Sequence, residues 1–327
     1  MSELRKRLMR LTPLKKKCCG ILLYNAGRWA NPTFFWLSNC TVSGWLWVPF
    51  RGRPRLFTRE TYKAELRGTW AKVEYVSKTN DILSAVPTSN VGLDALHTPA
   101  FLFSKIKNKV RGTNVARHLE AARAVKTPYE IKQIRKACAV ACDIFTKIRL
   151  PYRGSEAQLR ADLDWEIQSR GLEPAFSTIV ASAKNIVSPH HAPSLSPATK
   201  PLLIDLGVRF NGYCSDTTRT YGSKYQPIVR KVFEAVESLL KPGTCAADID
   251  AEARKALGAH AKHFITALGH GIGIAVHEPP NIRADSKELL QPGNVLTIEP
   301  GIYVGGGIRH ENMYLIGPKG AENLTNF

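Results

Sequence analysis

Two aspartates, Asp205 and Asp216, flank an Asn-Gly pair in the stretch LIDLGVRFNGYCSDTTRTYG, residues 203–222. Asn211-Gly212 between apolar runs predicts a tight hairpin, because both central residues of the favoured two-residue turn need positive φ. Counting outward pairs Phe210 with Tyr213, sets Gly207 opposite Asp216 and puts Asp205 opposite Thr218. Side chains alternate along a strand, so Asp205, Asp216 and Thr218 share one face, with the carboxylates on the ladder diagonal, roughly 7 Å apart at the backbone. Carboxylates so placed repel unless a cation lies between them. The Thr218 hydroxyl can then orient a carboxylate oxygen, and Gly207 is expected to leave open space beside Asp216. The competing reading is a surface hairpin whose aspartates are solvated.

Three later stretches concentrate further ligand-type residues: ALGHGIGIAVHEPP, LTIEPGIY and IRHENMYLIG. Each alone has an ordinary reading. The glycines around His270 match neither a Walker loop nor a dinucleotide fingerprint, Glu299 precedes a Pro-Gly turn, and Glu311 could pair with Arg309.

The elements that must carry these residues are legible. KTPYEIKQIRKACAVACDIFTKI opens with a Thr-Pro helix-entry signal and carries apolar residues at helical spacing from Ile131 to Ile148. A second helix lies in SEAQLRADLDWEIQSRG, with Ser155 as N-cap and Gly171 as C-cap. QPIVRKVFEAVESLL and AADIDAEARKALGAHA supply two more. Strands are expected in FSTIVAS, PLLIDLGVRF, YCSDTTRTY, NVLTIEPGIYV and GIRHENMYLIG. Strand pairs with intervening helices predict an α+β domain over residues 126–327. Residues 1–125, a run of short strands and helices, read as a smaller α/β domain; Leu4 and Leu8 suggest a short amphipathic helix at its start.

The 327 residues, 44% apolar and 22% charged, suit a globular enzyme-sized chain. The longest apolar runs are strand-length, far short of the about 20 residues a membrane helix needs. The basic N-terminus is followed by no uninterrupted apolar core, which argues against a secretory signal. Seven cysteines form neither zinc spacing nor an even disulfide framework, and a reducing cytoplasm is expected. The net charge of +19 lies entirely in the first half: residues 1–150 hold 28 Lys+Arg against 9 Asp+Glu, residues 151–327 hold 18 of each. A basic half could contact nucleic acid, but no recognised nucleic-acid motif accompanies it, and a solvated basic surface is the preferred reading.

Taken together, AFSTIVAS, SPHHAPS, IDLGVRFNGYCSDTTRT, GHGIGIAVHEPP, TIEPGIY and GIRHEN resemble, in order, the blocks of the metal-dependent peptidase family that includes Xaa-Pro aminopeptidase and prolidase. ANPTFFWLSN and VKTPYEIKQIRKA extend the resemblance to a creatinase-type N-terminal domain, so it covers essentially the whole chain. It implies a pita-bread catalytic domain, antiparallel sheet halves flanked by helices. It also implies five metal ligands, Asp205, Asp216, His270, Glu299 and Glu311, with Asp216 and Glu311 bridging two divalent cations. Such an oxygen-rich set suits manganese first and also cobalt, zinc or iron. By the same resemblance Glu299 is the general base, His190 and His277 contact the substrate carbonyl and oxyanion, and Tyr303 and Arg309 orient ligands. His191 adjoins His190, and only one of the two is expected to face the site. The implied activity is removal of the residue preceding proline from peptides, by a homodimer. The near neighbour is a dipeptidase, and the alternative of another class is a non-catalytic binding protein using the basic half. Departures from the family pattern are ASAKN and the residues flanking Glu311, His310 and Asn312.

Overall fold

Apolar runs become the centre of a mixed sheet in the first of two units, Met1–Arg123 and Ala124–Phe327, into which the computed structural model divides. The structure describes residues 1–77 and 79–327, with the backbone alone at Thr79 and Asn80. In the first unit β1 (Gly20–Asn25), β2 (Gly44–Pro49), β3 (Arg55–Thr58), β4 (Lys72–Tyr75), β5 (Val91–Leu93) and β6 (Thr113–Asn114) order as β4-β3-β2-β1-β5-β6. β1 is central, and Ile21, Leu22 and Leu23 are all buried, as expected where both faces are covered. Its helices are α1 (Glu3–Arg10), α2 (Pro32–Ser38), α3 (Thr79–Ser84), α4 (Ala100–Lys109) and α5 (Ala116–Ala124). The α1 helix is where the sequence placed it, but its buried residue is Arg7, with Leu4 and Leu8 only half-buried. The Arg7 guanidinium donates to Trp36 O at 2.5 Å and lies over the Trp36 and Trp70 rings. A planar, weakly hydrated cation can be buried against indoles in a way an ammonium cannot.

The second unit begins with α6 (Pro128–Lys147). Thr127 accepts from the Glu130 backbone and Glu130 returns a bond to Thr127 N, a capping box behind Pro128. Next come α7 (Glu156–Gln168), capped by Ser155, then β7 (Glu173–Pro174), β8 (Ile179–Ser182), β9 (Leu202–Leu206), β10 (Val208–Phe210), β11 (Tyr213–Cys214) and β12 (Thr217–Tyr221). Helix α7 closes at Ser169; Gly171, the expected C-cap, lies two residues further on with φ +71°. Ala141, Ile144, Leu159, Leu163 and Ile167 of the two helices pack on Val180, Leu202, Ile204 and Leu206 of the strands.

A similar half follows. Helices α8 (Gln226–Val236) and α9 (Ala246–Leu257) pack with Val229, Val232, Val236, Ile249 and Ala253 against Leu296, Ile298 and Ile316. The strands are β13 (Gly269–Gly271), β14 (Glu278–Ile282), β15 (Val295–Ile298), β16 (Gly301–Ile302), β17 (Ile308–Arg309), β18 (Asn312–Ile316) and β19 (Ala321–Asn323). Five of them order as β14-β13-β15-β18-β19, while β16 pairs with β17. Antiparallel sheets flanked by helix pairs, β11-β10-β7 and β12-β9-β8 in the first half and the five-stranded sheet in the second, are thus the scaffold that holds the site. Among the described residues, no helix is long and apolar enough to cross a membrane, and all seven cysteines are free.

Candidate metal centre

The hairpin register is the one counted from the Asn-Gly turn: Phe210 pairs with Tyr213 and Asp205 with Thr218, with φ +47° at Asn211 and +86° at Gly212. Gly207, however, is not an open space. A Cβ there would lie 2.2 Å from Ser215 O and 2.5 Å from the Phe176 ring. The glycine is required because the ladder breaks between β9 and β10 and the two chains close tightly beside Asp216.

Asp205 and Asp216 come from this half, and His270, Glu299 and Glu311 from the other. Ligand-type atoms of Asp216, His270 and Glu311 lie within 4.8 Å of one another. His270 Nε2 stands 3.3 Å from Glu299 Oε1 and 3.7 Å from Asp216 Oδ2. The other ring nitrogen, Nδ1, is 3.1 Å from Gly271 O, so Nε2 is the ring atom that faces the carboxylates. All five line one cavity of about 500 Å³, together with His190, His277, Tyr303 and Arg309.

Thr218 does orient a carboxylate, but the one it serves is Glu311: Oγ1 donates to Oε2 at 2.8 Å and accepts from Arg309 Nε at 3.1 Å. Arg309 is buried and also donates to Asp205 Oδ2 at 2.5 Å, to Pro189 O at 2.9 Å and to Tyr303 OH at 3.4 Å. It pairs with Asp205 and not with Glu311. Tyr303 is buried beside it.

The electrostatics ask for cations. Burial first, and then the charges of the other carboxylates, push the Asp216 and Glu311 carboxyls well above their usual range. Burial also raises Asp205, although the Arg309 guanidinium opposes it. Burial acts to raise Glu299 too, but the hydrogen bond and charge of His270 outweigh it and hold the group low. Three buried carboxylates, Asp205, Asp216 and Glu311, and the partly buried Glu299 thus face one guanidinium. The Asp205 Oδ1 atom, buried, has no hydrogen-bond partner among the described residues, while Oδ2 is held by Arg309. An acceptor-only oxygen left without a donor in an acidic cavity fits a metal ion, and the O,O,O,O,N donor set fits a pair of divalent cations.

His277 stacks edge-on to His270 with ring centroids 4.2 Å apart. Desolvation, followed by the neighbouring His270, pushes its pKa down to about 4, and a cation in the site would push the same way. It is therefore a neutral imidazole near pH 7. Contrary to the expectation that only one of the adjacent histidines faces the site, both His190 and His191 line the cavity; His190 has no hydrogen-bond partner among the described residues, whereas His191 Nε2 lies 2.8 Å from Glu156 Oε2. His310 and Asn312 turn to the far side of the strand from Glu311. His310 packs edge-on to Phe233, and Asn312 Oδ1 accepts from Arg219 Nη2. Arg219 in turn donates to Glu311 O, so this departure from the family pattern bears on the backbone that presents Glu311.

Sequence reasoning missed Glu156. At the first position of α7 a glutamate looks like ordinary helix-start charge. It is fully buried and accepts from Ser182 N, Asn185 Nδ2, Ser194 N and Ser194 Oγ as well as facing His191. These bonds tie both ends of the loop that carries His190. Burial acts to raise its pKa, but the donors from Asn185, His191 and Ser194 prevail and hold it at about 2. A carboxyl depressed in the fold stabilises above its ordinary pKa and loses that contribution as pH falls toward the folded value. Glu156→Gln should therefore destabilise by on the order of 2–3 kcal/mol at pH 7. The gap to the parent should close between pH about 4 and 2; denaturant melts across that range check it, and a pH-independent gap would count against the assignment.

Comparison with known proteins places these features in context. A model of metallopeptidase family M24 matches residues 132–318. The Xaa-Pro dipeptidase of Pyrococcus furiosus is 36% identical over 62% of this chain, and the chain spans 63% of that relative's length. The prolidase structure from Pyrococcus horikoshii OT3 superposes with a TM-score of 0.86 at 26% identity, covering 99% of this chain and 98% of that one. An X-Pro aminopeptidase structure from Thermotoga maritima does so with 0.83 at 25% identity, covering 95% and 96%.

Proposed function

The chain belongs to metallopeptidase family M24, with the pita-bread fold of its Xaa-Pro peptidases, and from that premise we propose that it hydrolyses the peptide bond preceding proline in short peptides. The observation that carries this reading is the gathering of Asp205, Asp216, His270, Glu299 and Glu311 around one cavity, with Asp205 Oδ1 lacking a donor among the described residues. Residues 126–327 carry the chemistry, and residues 1–125 form the smaller N-terminal domain. The aminopeptidase and dipeptidase readings share this chemistry and differ in how the far end of the substrate is met. The gathered acidic set weighs against a non-catalytic role.

Asp205, Asp216, His270, Glu299 and Glu311 would hold two divalent cations, manganese or cobalt ahead of zinc given the preponderance of oxygen donors. When bound, such cations lower the proton affinity of water and polarise a carbonyl. Glu299 takes the proton of the attacking water and delivers it to the proline nitrogen as the C–N bond breaks. His277, neutral, donates to the carbonyl oxygen as its charge grows, and His190 reaches the same oxygen from the loop held by Glu156. Thr218 and Arg309 keep the Glu311 and Asp205 carboxylates aimed.

The test is hydrolysis by protein stripped of metal and resupplied with manganese, cobalt or zinc. An Xaa-Pro dipeptide, an Xaa-Pro-Xaa tripeptide and a Met-Ala-Xaa peptide form the substrate set. Metal-dependent cleavage before proline in either of the first two supports the proposal. Cleavage of Met-Ala-Xaa alone, or no cleavage with any metal, overturns it.

A further inference from the structure

The cavity's volume, about 500 Å³, lies in the range of roughly 300–1,000 Å³ that small-molecule sites occupy, and its lining grades from a buried floor to an exposed mouth. At the floor the Arg309 guanidinium is committed to Asp205, Thr218, Pro189 and Tyr303. His191 is engaged by Glu156. At the mouth stands Arg160, from the second turn of α7, its side chain 42% exposed. Its Nε contacts Asp164 Oδ2 at 3.3 Å, and Asp164 Oδ1 accepts from Thr178 Oγ1 at 2.6 Å. Thr178 is fully buried and lines the same cavity. This short relay fixes the guanidinium through Nε, and among the described residues both terminal nitrogens lack a partner.

A guanidinium held by one nitrogen, with its two-pronged end unsatisfied over a cavity, is a receptor for a carboxylate. A short peptide bound at the acidic floor by its scissile bond brings one carboxylate outward, and each added residue moves that group by about 3.3–3.6 Å. We propose that Arg160 receives the substrate's C-terminal carboxylate and thereby sets the length of peptide the enzyme prefers. This rests on the peptidase reading above. It makes the chain an enzyme for short peptides with a free C-terminus, and Arg160 the residue that determines this specificity.

The experiment compares manganese-loaded parent and Arg160→Met on paired substrates, an Xaa-Pro dipeptide and an Xaa-Pro-Xaa tripeptide, each as the free acid and as the C-terminal amide. The parent should favour the acid at one of the two lengths, and Arg160→Met should reduce that acid-over-amide ratio in kcat/KM by about 10- to 100-fold, the scale of a charge-assisted bond. The loss should fall mainly on KM, Arg160→Lys should restore part of it, and proline should lose its advantage over prolinamide as an inhibitor. No acid preference at either length in the parent, or a preference that survives the substitution, overturns the assignment while leaving the peptidase reading standing. If the parent cleaves neither acid nor amide, the peptidase reading fails and Arg160's role with it.

Discussion

Asp216→Asn should shift stability in opposite directions with and without divalent metal. In chelator the parent gathers four carboxylates against Arg309, three of them buried, and Asp216 and Glu311 are the two whose ionisation is most disfavoured. Removing one charge relieves that repulsion, so the variant should be more stable than the parent in chelator by about 1–2 kcal/mol. With manganese present the sign reverses, because the charge that was a liability is now a ligand and the variant gains less from binding. Hydrolysis before proline should fall by at least about 10³-fold, corresponding to several kcal/mol of lost transition-state stabilisation. Thermal melts in chelator and in manganese, with the peptide assay alongside, read all three effects. A variant destabilised equally in both conditions would mean that the aspartate is merely structural.

The same charges fix a pH dependence. A carboxyl whose folded pKa is raised binds a proton in the fold that it has released in the unfolded chain, so stability falls as pH climbs through the interval between the two values. Metal-free protein should therefore weaken as pH rises above about 4, the ordinary carboxyl value. Glu156 works in the opposite sense and only below that value. Added metal should flatten the upper limb, since the cations replace protons as the balancing charge.

What the sequence disclosed follows from the range of the interactions involved. The Asn211-Gly212 turn and period-two alternation specify the register of β9 and β12 locally, so Asp205 opposite Thr218 could be counted before any coordinates existed. The α6 start was legible for the same reason, its capping box lying within four residues. Partnerships across the fold were not. Thr218 serves Glu311, 93 positions away, and Arg309 serves Asp205, 104 positions away. The buried roles of Arg7 and Glu156 depend on neighbours brought by other elements, which makes a surface-type residue indistinguishable from a core one in the bare chain. Both His190 and His191 line the cavity, and what separates them is that Glu156 engages the second while the first has no hydrogen-bond partner among the described residues.

Arg309→Met should be the most damaging single change outside the ligand set. Arg309 is 3% exposed and is the only guanidinium at the cavity floor among the described residues, so its loss strands Asp205 as a buried, uncompensated charge, a change that costs about 3–5 kcal/mol. Three further consequences follow from its other bonds. Asp205 Oδ2 loses the donor that turns Oδ1 toward the cavity, Thr218 loses one of the two contacts that aim it at Glu311, and Pro189 O loses its tie beside His190. Metal affinity should accordingly drop about 10- to 100-fold, and kcat should fall even when metal is in excess, because two carboxylates and an imidazole loop are no longer held. Arg309→Lys tests the geometry separately from the charge. It keeps a cation near Asp205 but cannot bond Asp205, Thr218 and Pro189 at once, so stability should recover more than turnover does. Manganese titration by calorimetry, read beside kcat at saturating metal, distinguishes the cases. Full turnover in Arg309→Met at saturating manganese would show that Asp205 and Glu311 need no help to find their places.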